Sequence, residues 1–178
     1  NTTVAHVSVA VSNSASIAFN SSNEMFFTAW AHYIKIIDSN GTLSTVAGTG
    51  STGSTNGVGT AASFNDPQGL VFDKDDNLYI ADYGNHLIRK MIPDGTVTTF
   101  ALDGTAAFSN NIDKMQAQMT NPKSITIDSY GDIYVSGTTG GFGVRVIGHQ
   151  SSPVPHTAYD MLPAVNVRNT TNDTIGAI

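Results

Sequence analysis

The feature that most restricts how this chain can fold is an internal repeat. Three short apolar segments line up, namely Ile17-Ala18-Phe19, Leu70-Val71-Phe72 and Ile125-Thr126-Ile127. Their first residues, at positions 17, 70 and 125, are 53 and 55 residues apart. A second landmark, Asn40-Gly41-Thr42, recurs as Asp94-Gly95-Thr96 after 54 residues. Landmarks that keep their order and almost keep their spacing indicate a repeat architecture.

Each repeat has the pattern of four short β-strands. The second repeat shows it best, with strand-like runs at Gly69–Phe72, Leu78–Asp82, His86–Met91 and Thr96–Phe100. Short runs rich in Val, Ile, Tyr, Phe and Thr, bounded by Asp-Gly or Gly-Asn turns, are typical of antiparallel hairpins. Lys and Glu, which favour helices, are scarce, and only 12% of residues are charged. We therefore predict an all-β fold in which each repeat is one four-stranded antiparallel propeller blade.

The repeats define the expected domain organisation. We predict a propeller segment over residues 1–148, followed by an irregular extension over residues 149–178 that contains three prolines. Its blades are expected at approximately 12–48, 64–102 and 120–148. The alternating segment from Val4 to Val11 reads as a lone strand that completes another blade.

The two spacers between the repeats differ in composition. Residues 49–59 are almost entirely Gly, Ser, Thr and Asn, and such a stretch buries little apolar surface, so we expect a surface loop. Residues 113–119 are expected to form one or two helical turns that stop before Asn121-Pro122.

Composition excludes several classes of partner and site. The 178 residues carry 8 basic and 14 acidic side chains, a net charge of -6, which argues against nucleic acid or an anionic membrane as partner. The absence of cysteine excludes disulfides, thiolate metal sites and cysteine nucleophiles. No apolar run is long enough to span a membrane. Because the sequence begins at Asn1 rather than Met, we expect a processed or partial chain.

The second repeat resembles a known family. Asn85-His86-Leu87 is similar to the signature triplet of the NHL repeat, and the flanking Asp66–Phe72 and Asn77–Asp82 also resemble that repeat. The Gly-rich spacer from Val46 to Phe64 resembles the family's crossing between blades. The resemblance covers most of the chain and implies a β-propeller.

The first and third repeats match the family more weakly. Ala31-His32-Tyr33 occupies the triplet position of the first repeat, and Gly141-Phe142-Gly143 occupies that of the third. Asp82 of the second repeat is replaced by Ala29 and by Gly137. The resemblance to the family therefore rests mainly on the second repeat.

Three repeats are too few for a closed ring. Propellers need four to eight blades, and the NHL resemblance implies about six. An open arc leaves apolar blade faces in water, which costs about 25 cal/mol of free energy for each Å² of exposed apolar surface. Two chains could pair to close a ring, the chain could be a piece of a larger one, or it could polymerise head to tail into a filament. Donation of the strand from Val4 to Val11 suits either a ring or a filament.

Two histidines are candidate metal ligands. His32 and His86 occupy equivalent repeat positions. The resemblance implies a fold on which some lyases bind zinc through histidine, so these two residues are candidate ligands. Spacing alone does not define ligand geometry, so we favour a role in which each histidine hydrogen-bonds the neighbouring blade. We predict no catalytic residue and no cofactor.

A run of acidic residues is a second candidate metal site. Residues 73–77 resemble a calcium loop in composition. Leu78 and Gly84 nevertheless stand where a helical calcium loop needs Gly and Glu, which favours a plain hairpin turn.

Aromatic residues and glycosylation sequons complete the candidate sites. Trp30 and Tyr83 each follow a second strand at a loop, where they could stack on a glycan, although packing between blades is the commoner role of such residues. If the chain passes through a eukaryotic secretory route, Asn-x-Ser/Thr sequons become glycosylation candidates. They lie at Asn1, Asn20, Asn40, Asn169 and Asn172.

These observations predict an extracellular or cell-surface structural or interaction module. We expect it to assemble with other copies of itself, or with further propeller blades, through blade edges and strand donation. One alternative is a propeller closed by dimerisation that binds a peptide or a glycan. The other is a metal-dependent lyase or hydrolase on a propeller scaffold.

Overall fold

A computed structural model describes residues 15–29, 31–107, 114–139 and 144–148 of the chain. These residues form twelve β-strands and two one-turn 3-10 helices, at Gly59–Ala61 and Tyr83–Asn85. The strands make three antiparallel sheets that follow the three repeats. No helix in these ranges is long and apolar enough to cross a membrane.

The first sheet, blade one, has the strand order β1-β2-β3-β4. Its strands are β1 (Ile17–Phe19), β2 (Met25–Ala29), β3 (Tyr33–Ile37) and β4 (Leu43–Ala47). Each strand pairs with the next along the chain, as hairpins joined by short turns require.

The second sheet, blade two, has five strands in the order β5-β9-β8-β7-β6. Its strands are β5 (Gly57–Val58), β6 (Pro67–Phe72), β7 (Leu78–Asp82), β8 (Leu87–Met91) and β9 (Thr96–Ala101). The fifth strand comes from the spacer that was expected to be a surface loop. Residues 57–58 pair with Val97 and Thr96 at the edge of the sheet, which satisfies backbone groups that the spacer's small side chains cannot shield.

The third sheet, blade three, has the order β10-β11-β12 in the described residues. Its strands are β10 (Thr120–Ile127), β11 (Ile133–Thr139) and β12 (Val144–Ile147). The predicted lone strand from Val4 to Val11, and the extension over residues 149–178, lie outside the described residues.

The helical turns predicted before blade three are wrong over residues 114–119. Residues 114–116 form a turn, and no helix follows. The backbone is instead tied to the end of blade two, because Leu102 N–H donates to the Lys114 carbonyl (2.6 Å) and Asp103 N–H to the Ala117 carbonyl (3.1 Å). Ala117 and Met119 are buried against the sheets, so tertiary packing overrides the local helical preference.

Two apolar cores lie between the three blades. The alternation of strand β7 divides its side chains between them: Leu78 and Ile80 enter the core shared with blade one, and Tyr79 and Ala81 enter the core shared with blade three. Every residue of β7 is buried. Full burial of a Leu or Ile side chain stabilises a fold by about 1.5–3 kcal/mol, so blade two is held from both sides.

Gly69 allows the close approach of blades two and three. A Cβ atom at this position would lie 2.6 Å from the carbonyl oxygen of Lys123 in strand β10. Any side chain here would therefore push the two blades apart.

Candidate functional site

A buried ion pair lies between blade two and the spacer that precedes it. Arg89 and Asp82 are both fully buried, and Arg89 Nη1 is 3.2 Å from Asp82 Oδ2. Arg89 also donates to the carbonyls of Ser63 (3.1 Å) and Thr55 (3.2 Å) and to Asn56 Oδ1 (2.8 Å). A single arginine thus binds three points of the Gly/Ser/Thr-rich spacer to the sheet. We call Arg89 and Asp82 the arginine latch.

The signature triplet supports this latch. Asn85 Nδ2 donates to Asp82 Oδ2 (2.8 Å) and to the carbonyl of Gly53 (2.6 Å), while Asn65 N–H donates to Asp82 Oδ1 (2.8 Å). Burial raises the pKa of Asp82 to about 6, although the hydrogen bonds from Asn65 and Asn85 and the charge of Arg89 act in the opposite direction. Burial also lowers the pKa of Arg89. The role of these residues is to attach the spacer, and sequence reasoning missed it.

A sequence signal for the latch does exist. Asp82 ends a strand that is otherwise apolar, and Arg89 stands in the next strand on an inward position. Charged residues at buried strand positions are seldom left without a partner. In the β7–β8 hairpin, Asp82 lies two residues beyond Ile80, the register partner of Arg89, so the two charges are diagonal neighbours on one face.

The two candidate metal-binding histidines link successive blades. His32 Nδ1 accepts the N–H of Asp66 (2.9 Å), and His86 Nδ1 accepts the N–H of Asn121 (3.1 Å). In each case the donor lies at the start of the next blade, with Asp66 just before β6 and Asn121 as the second residue of β10. Both histidines have left-handed backbone conformations (φ 65° and 58°), which residues other than glycine adopt only uncommonly.

This geometry matches the favoured interpretation of the histidines, in which each one hydrogen-bonds the neighbouring blade. In the described part of the chain, no group of three His, Asp or Glu side chains is arranged to hold a metal ion.

The calcium-like run at residues 73–77 forms a hairpin turn. Asp73 Oδ1 accepts the N–H groups of Asp75 and Asn77 (both 2.9 Å), and its Oδ2 accepts Asn77 Nδ2 (2.8 Å) and the Tyr79 hydroxyl (3.2 Å). Partial burial would raise the pKa of Asp73, but these hydrogen bonds outweigh it and lower the pKa. Asp128 builds the same turn in blade three.

The remaining predicted site residues are scattered. Tyr83 lies half-buried in the turn after β7, where its carbonyl accepts Asn121 Nδ2 (3.2 Å), and Trp30 lies outside the described residues. Asn40 is exposed in a turn, whereas the side chain of Asn20 is hydrogen-bonded to Glu24. The sequons at Asn1, Asn169 and Asn172 lie outside the described residues.

A shallow, open depression lies on blade one. It is lined by Tyr33, Lys35, Thr45, Gly48, Thr49 and Thr60. Lys35 Nζ donates to the Thr45 hydroxyl (2.9 Å) and lies 5.3 Å from the centre of the Tyr33 ring. By strand register, Lys35 is the counterpart of Arg89, since Lys35 pairs with Phe27 and Arg89 pairs with Ile80 at equivalent positions. The depression therefore occupies the place where blade two holds its arginine latch.

The outer faces of blades one and three are the other candidate functional surfaces. We call the face of blade one that points away from blade two the leading flank, and the corresponding face of blade three the trailing flank. Leu43 on the leading flank is 41% exposed, whereas its counterpart Val97 in blade two is fully buried. Val144 on the trailing flank is 62% exposed, whereas its counterpart Ile88 is fully buried. These two repeat positions are thus covered in blade two and partly open at the two ends, while Phe27, Ala29 and Ile37 on the leading flank are buried.

Family models match two of the three repeats. Residues 64–91 match the NHL repeat, and residues 116–143 match a beta-propeller repeat. The chain contains an NHL repeat. The resemblance seen in the triplet Asn85-His86-Leu87 is therefore confirmed. None of the curated proteins matches the chain.

Solved structures share the blade arrangement. An auxiliary nutrient binding protein from Bacteroides thetaiotaomicron is 27% identical with a TM-score of 0.58, and the match covers 67% of this chain and 33% of that one. An auxiliary nutrient binding protein from Bacteroides ovatus is 24% identical with a TM-score of 0.52, over 67% of this chain and 33% of that one. A gluconolactonase from Xanthomonas campestris is 12% identical with a TM-score of 0.50, over 70% and 34%.

These matches agree with the predicted fold class of an all-β set of NHL-like blades that does not complete a ring. The chain spans about a third of the length of the solved structures it matches. Those relatives include proteins named for nutrient binding and for a lactonase, so the shared architecture does not by itself select an activity.

Proposed function

We propose that the chain is a structural or interaction module that binds a second copy of itself through its two flanks. The observation that carries this proposal is the contrast in burial between equivalent positions. Ile88 and Val97 are fully buried in blade two, while Val144 and Leu43 at the ends are 62% and 41% exposed. Exposed strand positions that are buried in the neighbouring repeat are expected to be covered in an assembly.

A second copy of the chain is the partner that fits the flanks, because it would continue the packing of one blade on the next. Blade two uses one face against blade one and the opposite face against blade three, with a separate apolar core on each side. The leading flank has the repeat positions of the first face, and the trailing flank has those of the second. A trailing flank and the leading flank of another copy can therefore meet as two successive blades meet within the chain.

Such a contact is heterologous, and it has two possible consequences. If two copies close on each other they form a ring of six blades, and if the contact does not close they form a filament. An extracellular or cell-surface location remains part of this proposal, supported by the low charge and the Ser/Thr-rich composition. No arrangement of side chains in the described ranges favours the ligand-binding or enzymatic alternatives over this proposal.

The test is the mass of the particle in solution, measured by light scattering after size-exclusion chromatography. We expect the wild-type chain to run as a multiple of the 18.7 kDa monomer, either double or open-ended. Val144→Asp should shift the population to the monomer, because it places a charge in the apolar contact.

Val58→Asp is the matched control. Val58 is a strand valine of similar exposure (60%), but it lies on spacer strand β5 rather than on a flank. We expect it to leave the mass unchanged. A wild-type chain that stays monomeric at every concentration would contradict the proposal, as would equal effects of the two substitutions.

A further inference from the structure

Strand β1 carries the most exposed apolar part of the leading flank. Ile17 and Phe19 are 57% and 55% exposed, and they point to the same side because they stand two residues apart in a strand. Their counterparts in blade two, at the 53-residue offset, are Leu70 and Phe72. Leu70 is 5% exposed in the core that faces blade one, and Phe72 packs against the same core. In blade two, these two repeat positions therefore contact the preceding blade.

Within the chain, the repeat position of Phe19 makes an aromatic contact between blades. The Phe72 ring meets the ring of Phe26 in blade one edge to face, with 4.9 Å between the ring centres and 77° between the ring planes. Between blades two and three, the same two positions are held by Tyr79 and Ile127, which pack in the second core. At both junctions, a ring on the second strand of one blade thus shares a core with the last residue of the next blade's first strand.

The trailing flank carries the matching ring. Tyr134 is the second residue of β11, as Tyr79 is of β7 and Phe26 is of β2. The Tyr134 hydroxyl donates to Asp128 Oδ2 (3.0 Å), and the Tyr79 hydroxyl donates to Asp73 Oδ2 (3.2 Å). Hydrogen bonds of the same kind therefore hold the two rings at the same place in their blades. Tyr79 is 6% exposed, whereas Tyr134 is only half-buried.

The two ends of the chain thus carry the two halves of one contact. Phe19 corresponds to the residue that blade two presents to blade one, and Tyr134 corresponds to the residue that blade two presents to blade three. A second copy supplies the missing half at each end, and the contact it makes would continue the contacts that the chain already makes between its own blades.

We infer that Phe19 of one copy packs on the ring of Tyr134 of the next copy, and that this aromatic pair anchors the contact between copies. The inference rests on the proposed function, to which it adds the anchoring residues and the direction of the contact. In a head-to-tail contact, a leading flank meets a trailing flank, so Phe19 meets Tyr134. In a symmetric contact between two leading flanks, Phe19 would instead meet Phe19 of the other copy.

The first experiment compares Phe19→Ala with Tyr130→Ala by sedimentation equilibrium of the full chain. Tyr130 is a matched control, since it is an aromatic residue of nearly equal exposure (56%) that lies in the turn between β10 and β11. We expect Phe19→Ala to raise the dissociation constant of the assembly at least about tenfold, because it removes a ring from the centre of an apolar contact. Tyr130→Ala should change the constant by less than about twofold. Equal effects of the two substitutions would overturn the inference.

The second experiment cross-links copies to test which residues meet. The chain contains no cysteine, so Phe19→Cys and Tyr134→Cys each introduce a single thiol. We add a short bis-maleimide to an equimolar mixture of the two variants, at a concentration at which the mixture assembles. We expect a covalent dimer of two 18.7 kDa chains to form at least about tenfold faster than with either variant alone. Phe19→Cys mixed with Val58→Cys is the control, because Val58 is 60% exposed but lies on neither flank.

The outcomes distinguish this inference from the proposed function. Cross-linking of Phe19→Cys mainly to itself would show a symmetric contact and overturn the inference, together with the head-to-tail form of the assembly. A wild-type chain that assembles, with no cross-linking of the mixture above the Val58→Cys control, would overturn the inference and leave the proposed function standing. A wild-type chain that is monomeric at every concentration would contradict both, and would mean that something other than a second copy covers Phe19.

Discussion

Blade two and the two blades beside it have the same strand-and-turn sequence pattern, but they differ in how much of each blade is buried by its neighbours. In blade two, every residue of the second strand is buried, and a buried arginine holds the spacer against the sheet. In blade one the equivalent basic residue is a half-buried lysine beside an open depression. In blade three the position equivalent to a buried isoleucine carries a mostly exposed valine. A repeat is therefore fully packed only when a neighbouring blade covers each of its two faces.

The largest expected difference between blades one and two comes from removing the basic side chain of each. Arg89→Met leaves Asp82 buried without its charged partner, and we expect a loss of about 3–5 kcal/mol in the free energy of unfolding. Lys35→Met in blade one should cost about 1 kcal/mol or less, since its partner is a hydroxyl at the surface of an open depression. Chemical denaturation of both variants gives the two values, and similar losses would mean that the latch has no special role.

Two leucines allow the stability contributions of a buried and a partly exposed apolar position to be compared. Leu78 in blade two is fully buried, whereas Leu43 on the leading flank is 41% exposed. We expect Leu78→Ala to cost about 2–5 kcal/mol, because it leaves a cavity in the core between blades one and two. The same change at Leu43 should cost less than about 1 kcal/mol in the monomer. Denaturation at a concentration below assembly is the measurement, and an equal cost would show that the leading flank is already packed.

Asp82 also makes the stability of the fold depend on pH. Its pKa is raised by burial to about 6, so the unfolded chain loses this proton at a lower pH than the folded chain does. The folded state is therefore favoured below the unfolded pKa, and this contribution is lost as the pH rises to about 6. A loss of about 3 kcal/mol is expected, since the pKa rises by about two units from the model value of 3.8 and each unit corresponds to about 1.4 kcal/mol.

Asp82→Asn removes the titrating group and keeps its shape. We expect the stability of the wild type to fall relative to this variant between about pH 4 and pH 6. Asp73 is the control with the opposite sign, because its pKa is lowered and its contribution is lost as the pH falls. Parallel pH profiles for the wild type and Asp82→Asn would contradict the assignment.

Much of the fold could be predicted because the same strand-and-turn pattern occurs three times in the sequence. The three copies of the strand-turn-strand pattern, with Asp-Gly turns and alternating apolar residues, define the sheets and their order along the chain. The histidines were predicted to bond the neighbouring blade, and they do so at His32 and His86. The strands and turns depend on residues close in sequence, so the sequence carries them directly. The histidine bonds join residues 34 and 35 positions apart, and they were predictable because the two histidines hold equivalent repeat positions.

The candidate site was harder to predict because its contacts join distant parts of the chain. Arg89 contacts spacer residues 26 to 34 positions earlier, and those residues offer carbonyl oxygens that any sequence would supply. The spacer's Gly, Ser and Thr residues indicate a loop, but its pairing with the edge strand β9 depends on where that edge lies. The helical turns predicted before blade three are absent over residues 114–119 for the same reason, since Ala117 and Met119 are buried in a core.

The amino-acid sequence is enough to predict that the chain is all-β, that it is built from three successive blades, and that its blades resemble NHL repeats. These properties follow from periodicity and turn residues, which act over a few positions. Three further properties depend on the tertiary structure. Asp82 and Arg89 form a buried ion pair, the spacer adds a strand to blade two, and certain positions on the outer blade faces stay exposed. Those properties depend on which surfaces are brought together in space, and burial energy, unlike turn preference, is set by the neighbour and not by the residue itself.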